Sequence, residues 1–292
     1  YYEVRYDDNA EDGYQKIVTT VKNGVKTVDV YTITEDINGN SMLPNAQAIP
    51  SWNTYYCQDS TGYYEGFFMF YLLNGSHQIT LEAEREPVII KSIEFVPYGY
   101  EDADNDASSE IELPTYESVK QEYADKGYTA ATNGSLVNIQ AEFPDYVSDS
   151  SVYATNDNSS SATYPSHPDS QVYNVIGENS YNTVGQWAAY NFSVTETGLY
   201  KISMRYLQST LQGMYICRAI KLSDGTPTAP FLEAYNAQFN YDKEWQSEYI
   251  GDGITDAFEF YFEKGVQYTL YLECSLGSLK NLIQRVENVL AS

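Results

Sequence analysis

The chain has 292 residues, which is enough for two domains of ordinary size. Its 41 acidic residues outnumber its 16 basic residues, so the formal net charge at pH 7 is −25. A surface this acidic repels phosphate backbones and anionic headgroups, which excludes nucleic acid and anionic membrane as favourable partners. The sequence also contains no apolar run long enough to span a bilayer, so we expect no membrane insertion.

Aromatic residues are abundant, and 30 of them are tyrosines, against 11 phenylalanines and 3 tryptophans. Tyrosine suits strands that have one dry and one wet face, because its ring packs on the core while its hydroxyl reaches water. The tyrosine content therefore indicates a β-rich chain. Exposed rings also offer flat surfaces on which sugar rings can stack, which is a second, functional interpretation.

The three cysteines are Cys57, Cys217 and Cys274, and an odd number gives no disulfide framework. Cys217 and Cys274 lie in strand-like runs, so we expect them to be small core residues. The two histidines are far apart and have no cysteine at ligand spacing, which gives no support for a zinc site. We predict that no cofactor is required.

Residues 1–100 are expected to form a first β-sandwich module that lacks its N-terminal strands. The chain begins directly in the strand-like sequence 1–6, so we expect it to be a piece of a longer protein. Strand-like runs follow at 68–73 and 79–82.

The sequence pattern of the first module is repeated later in the chain. Trp52 aligns with Trp245. The other matched positions are Tyr56 with Tyr249, Asp59 with Asp252, 3–6 with 203–206, 68–75 with 258–265, and 79–82 with 270–273. Matches at such consistent spacing indicate two copies of one module. The stretch 136–199 has no counterpart in the first copy.

Residues 101–133 are expected to be an acidic linker followed by a short helix. The Asp-x-Asp-x-Asp pattern at 102–106 is found in calcium loops, but Ala107 stands where such loops need glycine and Leu113 where they need glutamate. A solvated linker is therefore the favoured interpretation. Pro114 and Gly127 frame the predicted helix, at its start and just past its end.

Residues 134–278 are expected to form the second sandwich. Apolar and polar residues alternate with a period of two along 187–194, 199–206 and 258–263. Such strands are typical of antiparallel sheets stacked face to face, and about nine of them match the size of a jelly roll. The predicted fold class is therefore all-β, with two tandem antiparallel β-sandwiches of the jelly-roll type.

Residues 279–292 depart from this pattern. Their apolar residues recur at helical spacing, as follows: Leu279, Leu282, Ile283, Val286, Val289 and Leu290. We predict a C-terminal helix that packs on the sandwich or begins a following region.

Several phrases of the sequence carry a family resemblance. In the second module the phrases are 137–142 (Val-Asn-Ile-Gln-Ala-Glu), 185–194 and 198–206. Together they resemble carbohydrate-binding modules of the jelly-roll kind. The phrases 52–59, 62–64 and 81–87 are similar to tandem modules attached to extracellular solute-binding proteins of gut Firmicutes. The set is also similar to starch-adherence proteins, which implies an extracellular location on a bacterial cell surface.

The resemblance implies a sugar-binding cleft at the loop edge of the sandwich. In related modules one aromatic residue precedes the Gly-x-Trp strand and another lies in the later Trp strand, and the matching residues here are Tyr181 and Trp245. The resemblance also implies a structural calcium ion held by Glu142. The acidic partner expected two residues earlier is Gln140 in this chain.

Trp245 has the neighbours that a sugar site needs. Stacking requires a flat exposed ring, and the hydroxyls of the sugar require polar partners, which Tyr241, Lys243 and Gln246 could supply. A tryptophan that recurs in both copies could equally be a core residue, and both interpretations stay open at this stage.

The remaining candidates are less strongly indicated. Trp187 alternates with core-type residues and is either a wet-face or a structural residue, while Trp52 and Tyr55 are the first-module counterparts. Tyr181 follows the polar sequence 177–180 and is expected to be an exposed loop aromatic. The Ser/Asn-rich stretch 149–166 is either a mobile flap or disordered.

These features predict binding of a neutral polysaccharide or oligosaccharide without catalysis, with α-glucans such as starch or malto-oligosaccharides as the favoured class. A glycoside hydrolase would need two carboxylates about 5–10 Å apart, and the sequence shows no catalytic motif that favours this alternative. The other alternative is a scaffold or adhesion module that spaces or docks other domains of a larger surface protein, such as a transporter-linked receptor.

Overall fold

The computed structural model describes residues 2–4, 14–19, 28–33, 35–43, 46–49, 52, 57, 59, 68–82, 89–97, 116–132, 135–160, 163–223, 235–251, 257–277 and 279–291. The strands within these residues are β1 (Tyr2–Val4), β2 (Tyr14–Thr19), β3 (Val28–Ile33), β4 (Ala46–Ala48), β5 (Tyr146–Val147), β6 (Ala154–Thr155), β7 (Val175–Ile176), β8 (Trp187–Ser193), β9 (Gly198–Lys201), β10 (Ser203–Tyr206), β11 (Tyr215–Ser223), β12 (Tyr235–Asn240), β13 (Gln246–Tyr249), β14 (Glu259–Phe262) and β15 (Gln267–Ser275). The helices are α1 (Tyr116–Asp125) and α2 (Leu279–Ala291).

One layer of the fold is a seven-stranded sheet with the order β12-β11-β15-β8-β5-β1-β4. All of its neighbouring strands pair antiparallel. Smaller antiparallel pairs are formed by β10 with β13, β9 with β14, β2 with β3, and β6 with β7. This architecture confirms the predicted all-β class built from antiparallel sheets.

The alternation in the sequence decides which face of the large sheet is dry. Ala188 and Tyr190 of β8 lie opposite Leu272 and Leu270 of β15, so these four side chains share one face. That face belongs to the buried interior of the sandwich. The Tyr190 hydroxyl, buried among these residues, donates a hydrogen bond to the Ala141 carbonyl oxygen at 2.8 Å, which satisfies its polar end.

The second layer is built from the β9–β14 and β10–β13 pairs. Their apolar residues, including Phe260, Phe262 and the partly buried Met204, pack with those of β11, β12 and β15 in one core cluster. The two pairs follow one another along the layer, because the Ile250 amide donates to the Ile202 carbonyl oxygen at 2.9 Å and the Phe258 amide to that of Ile250 at 2.7 Å. The second module is therefore a two-layered sandwich.

Helix α1 packs against this second layer. Val119 is buried in the main core cluster, and the ring of Tyr116 stacks on that of Phe258 with centroids 3.8 Å apart. Just after the helix in the chain, the ring of Tyr128 stacks on that of Tyr261, with the ring centroids 3.6 Å apart. The helix was predicted correctly, and it packs against the second sandwich. The predicted boundaries 101–133 and 134–278 stay a prediction.

Both cysteines of the strand-like runs are core residues, as predicted. Cys217 and Cys274 are each almost fully buried, while Cys57 is exposed. Burial raises the pKa of the Cys274 thiol to about 11, so this thiol stays protonated and unreactive at neutral pH.

The first module differs from the second. Its hairpin β2–β3 precedes Trp52, just as β11–β12 precedes Trp245, in keeping with the repeat. Strand β1, however, adds to the edge of the second sandwich by pairing with β5. Residues 68–82 and 89–97 are described but lie in no strand, although strands were predicted at 68–73 and 79–82. The predicted boundary 1–100 stays a prediction.

The C-terminal helix occurs where it was predicted, as α2. Its apolar side chains Leu282, Val286, Val289 and Leu290 are exposed, so these four do not pack on the sandwich. Neither α1 nor α2, the helices found in the described ranges, has the length and apolarity needed to cross a bilayer.

Replacing Gly198 by alanine should destabilise the second sandwich. An added Cβ would lie 2.7 Å from the Ala131 amide nitrogen and 2.9 Å from its Cα, and backbone at the start of β9 cannot move away cheaply. We expect the free energy of unfolding to fall by about 1–3 kcal/mol, measured by urea denaturation. The control Thr195→Ala, at a nearby exposed position, should leave it within about 0.5 kcal/mol of the unaltered chain. Equal stabilities for the two variants would contradict the close approach.

Candidate functional site

Trp245 lies immediately before β13, at the loop end of the second sandwich, and its ring is partly exposed. Its indole nitrogen Nε1 donates a hydrogen bond to Oδ2 of Asp157 at 2.9 Å. This bond joins two loops that are 88 residues apart in the sequence. It restrains the orientation of the indole and satisfies its polar N–H group, while the residue remains partly exposed.

The side chain of Asn174 holds the Asp157 loop in place. The Asn174 side chain donates to the carbonyl oxygens of Asp157 (2.9 Å) and Pro165 (2.8 Å), and its Oδ1 accepts from the Asp157 amide at 2.8 Å. Thr163 adds a hydrogen bond from its hydroxyl to the Asp157 carbonyl oxygen. The described part of the stretch 149–166 is therefore a hydrogen-bonded loop and not a disordered one, and its movement as a flap stays a prediction.

A second clamp holds the loop that carries Trp245. The buried side chain of Gln208 accepts from the amides of Thr210 and Leu211 and donates to the Leu211 and Met214 carbonyl oxygens. The Asp242 amide donates to the Gln208 carbonyl oxygen at 2.9 Å, and the Tyr241 amide to that of Met214 at 3.2 Å. Side-chain bonds of this kind make a loop rigid without secondary structure.

We call Trp245, Tyr241, Lys243, Gln246 and Asp157 the Trp245 cluster. Tyr241 and Gln246 are partly exposed and Lys243 is exposed. They lie within four residues of Trp245 along the chain and carry a phenol, an ammonium group and an amide, and their convergence on one face of the indole ring stays a prediction. The donors and acceptors suit hydroxyl groups.

The charges of the same loops favour an uncharged ligand. Asp157, Asp242 and Glu244 carry three negative charges against the one positive charge of Lys243. An anionic saccharide would meet net repulsion at this end of the sandwich, in addition to that from the chain's net charge of −25.

Asp157 is arranged as a hydrogen-bond acceptor and not as an acid. Partial burial raises its pKa, but the hydrogen bonds from Ser159 and Trp245 outweigh this effect and hold the pKa below its ordinary value. A general acid for glycoside cleavage needs the opposite, a carboxyl group whose pKa is raised. Asp157 therefore serves to position Trp245.

The prediction that Tyr181 is an exposed loop residue is wrong. Its ring is 4% exposed and belongs to the smaller core cluster, and its hydroxyl donates to the Leu272 carbonyl oxygen. The Arg218 guanidinium lies over the ring at 4.6 Å and donates to the Tyr181 carbonyl oxygen at 2.8 Å. The neighbouring Ser180 is itself buried, with its hydroxyl bonded to the Tyr153 carbonyl oxygen, so polar neighbours did not indicate exposure here. Tyr181 cannot stack on a sugar in this conformation.

Trp187 lies on the outer face of the seven-stranded sheet, in a different sheet from the strand that follows Trp245. Its ring packs edge-on against Tyr271 at 5.5 Å, and it is partly buried. The same face carries the Lys221–Glu273 salt bridge, in which the two charged atoms are 2.7 Å apart. This is the wetter face expected from the sequence, and a sugar-binding role for Trp187 stays a prediction.

The first-module candidates are not assembled into a site among the described residues. Trp52 is exposed. Tyr55 lies outside the described residues, so its predicted role stays a prediction.

Glu142, the predicted calcium ligand, is a buried carboxyl group. Its side chain is 3% exposed, and its Oε1 has no hydrogen-bond partner in the structure. Burial raises its pKa to about 7. An orphaned buried carboxylate oxygen suits a cation, but across the described residues no three His, Cys, Asp or Glu side chains come together. Glu142 and the amide oxygen of Gln140 would hold calcium only with carbonyl oxygens as further ligands.

The sequence did not point to Asp157, Asn174 or Gln208. Each is a common polar residue in a polar loop, and its role depends on which distant loop it meets in the fold. Only Gln208 could have been suspected from the sequence. It lies just before the turn at 210–213, which is typical of a side chain that caps its own loop.

Comparisons with known proteins give two solved structures of interest. No family model matches the chain, and no curated protein matches it. A family 35 carbohydrate-binding module from an environmental isolate is 10% identical with a TM-score of 0.28, and the match covers 44% of this chain and 82% of that module. A Paenibacillus sp. cycloisomaltooligosaccharide glucanotransferase complexed with cycloisomaltoheptaose is 15% identical with a TM-score of 0.31, covering 58% of this chain and 22% of the enzyme. Superpositions this loose do not bear on function, so the site must be argued from its own geometry.

The Glu142 carboxyl group should make stability depend on pH when divalent cations are removed. Its folded-state pKa of about 7 exceeds the ordinary 4.5, so the native chain keeps a proton that the unfolded chain has lost. Between these two values the free energy of unfolding should therefore fall as pH rises. At about 1.4 kcal/mol per pH unit, the loss is on the order of 3 kcal/mol. Urea denaturation in EDTA should show this loss in the native chain and not in Glu142→Gln.

Added calcium tests whether the Glu142 carboxyl group of the folded chain binds a proton or a metal ion. If Glu142 is a ligand, millimolar calcium at pH 8 should stabilise the native chain and leave Glu142→Gln unaffected. Equal effects of calcium on the two proteins would show that the ion binds elsewhere, and the absence of any effect would remove the calcium assignment.

Proposed function

We propose that the second sandwich binds neutral carbohydrate at the Trp245 cluster and catalyses no reaction on it. The observation that carries the proposal is the indole ring of Trp245, partly exposed and fixed by the 2.9 Å bond from its Nε1 to Asp157. A ring held in one orientation loses little freedom when a sugar stacks on it, which favours binding.

The polar members of the cluster support the same ligand class. Tyr241, Lys243 and Gln246 supply hydrogen-bonding groups on side chains that water already reaches. The three carboxylates near the ring disfavour acidic sugars. The proposal therefore specifies an uncharged saccharide.

Within that class we propose α-glucan, such as starch or malto-oligosaccharide, as the first ligand to test. The choice rests on the resemblance of the sequence to starch-adherence proteins. The same resemblance underlies our proposal that the chain is displayed outside a bacterial cell, within a larger surface protein.

Two other functions were considered from the sequence. A hydrolase would need a carboxyl group of raised pKa beside an ionised carboxylate such as Asp157, and the carboxyl group of raised pKa found here, Glu142, is buried away from solvent. A scaffold or adhesion role is favoured by one observation, the exposed apolar side chains of α2. That role would leave carbohydrate binding unaffected by changes at Trp245.

Truncation of Trp245 should abolish retention by polysaccharide. In affinity electrophoresis through gels containing amylopectin, pullulan, xylan or mannan, the native chain should be slowed by at least one polymer. Trp245→Ala should weaken binding by about 30-fold, because a central tryptophan contributes about 2 kcal/mol or more. The control Tyr249→Ala removes an exposed ring from β13, the strand that follows Trp245, and should keep the native mobility. No slowing in any gel would contradict the proposal, and equal slowing of the two variants would support the scaffold role.

Asp157 should act on binding through the orientation of Trp245. Asp157→Ala removes the acceptor of the indole N–H, so the ring becomes free to rotate and the affinity should fall by about three- to tenfold. Asp157→Asn keeps an acceptor oxygen at the same distance and should retain most of the affinity. The Kd for malto-oligosaccharide, measured by calorimetry, checks both. An Asp157→Asn chain that is as impaired as Asp157→Ala would instead indicate that the negative charge itself contacts the ligand.

A further inference from the structure

A loop from the first hundred residues, 35–43, lies against the second sandwich. The Ser41 amide donates to the Gln171 carbonyl oxygen at 2.7 Å, and the Gln171 amide donates to Oδ1 of Asn40 at 3.0 Å. The Tyr173 amide donates to the Ser41 hydroxyl oxygen at 3.2 Å. The last two bonds join residues that are 131 and 132 positions apart in the sequence, so they are contacts of the fold and not of a local turn.

The 35–43 loop is organised by Asp36. The Asp36 carboxylate accepts hydrogen bonds from the backbone amide and the side-chain nitrogen of Asn40, at 2.9 and 3.1 Å. Gly39 has a φ of 79°, a left-handed conformation that glycine adopts without strain, and it allows the chain to turn back at this point. Because the nitrogen of the Asn40 side chain is bound to Asp36, its oxygen is held in place for the Gln171 amide.

The segment that this loop contacts leads directly to Asn174, which holds the Asp157 loop. Asn174 follows Tyr173 in the chain, and its buried side chain bonds the amide and the carbonyl oxygen of Asp157 at 2.8 and 2.9 Å. Asp157 accepts the hydrogen bond from Nε1 of Trp245. A continuous path of contacts therefore joins the Ser41 hydroxyl group to the Trp245 indole.

The backbone before Asn174 has little regular structure to hold it. Among the described residues, 170–174 belong to no strand, and β7, which follows them, has two residues and pairs with β6. The bonds from the 35–43 loop give the backbone groups of Gln171 and Tyr173 the partners that a longer ladder would otherwise supply.

We propose that Asn40 and Ser41 are positioning residues for Trp245. They hold the backbone at 171–173, which places the Asn174 side chain and thereby the loop that bonds the indole. The site thus depends on two distant parts of the chain. The placement of the indole requires no ligand, while its effect on affinity rests on the proposed function.

The double variant Asn40→Ala/Ser41→Ala tests this inference in the full chain, because it removes both side-chain acceptors. Exchange of the Trp245 indole N–H with water, measured by nuclear magnetic resonance, should become about three- to tenfold faster, since its bond to Asp157 opens more often. The Trp187 indole N–H, on the seven-stranded sheet, should keep its native rate. Equal acceleration of both signals would indicate general destabilisation and would overturn the proposal.

Two further variants separate positioning from other effects of changing the loop. Ser41→Thr keeps the hydroxyl oxygen and should stay within about twofold of the native exchange rate. Ile37→Ala removes a fully exposed side chain from the same loop and should leave the rate unchanged. The proposal fails if the double variant exchanges at the native rate, or if either of these variants exchanges as fast as the double variant.

Ligand binding gives a separate readout. If the native chain binds a saccharide, the Kd of the double variant should rise by about two- to fivefold, while Ile37→Ala should keep the native Kd. An unchanged Kd in the double variant would overturn the proposal. If the native chain binds no saccharide, the proposed function fails, and the exchange rate of the indole N–H alone decides whether Asn40 and Ser41 position Trp245.

Discussion

The hydrogen bond from the Trp245 indole to Asp157 is the interaction on which the site depends. It joins two loops from distant parts of the chain and fixes the only polar group of the indole ring. Asn174 holds the backbone of the Asp157 loop, and Gln208 holds the turn against which the Trp245 loop is bonded. The ring is thus placed by side-chain bonds in loops, and the sandwich below supplies the rigid base.

The two copies show that the neighbouring elements determine whether the same sequence pattern is buried or exposed. Phe258, Phe260 and Phe262 lie in the core of a closed sandwich, because β9 pairs beside their strand, β15 packs from the facing layer and α1 packs on the same cluster. Phe68, Phe70 and Leu72 have the same spacing and remain exposed. The difference lies in the neighbouring elements, since alternation creates an apolar face but cannot bury it.

Sequence reasoning succeeded where local periodicity and composition carried the information. The alternation around Tyr190 and Phe260 predicted strands and a dry face, and Pro114 with Gly127 predicted α1. It failed where the outcome depended on distant contacts. Tyr181 follows polar residues, yet it is enclosed by Leu272, Arg218 and Cys274, which come from strands up to 93 residues away. The partner of Trp245 could not be found for the same reason.

The central claim is that the face of Trp245 receives a neutral sugar. The chain has three tryptophans, so its indole N–H groups give three nuclear magnetic resonance signals, which substitution assigns to Trp52, Trp187 and Trp245. Titration with malto-, xylo- and manno-oligosaccharides should move the Trp245 signal saturably with at least one series, most strongly with maltoheptaose. A Trp245 signal that stays fixed throughout all three series, while the chain remains folded, would contradict the account.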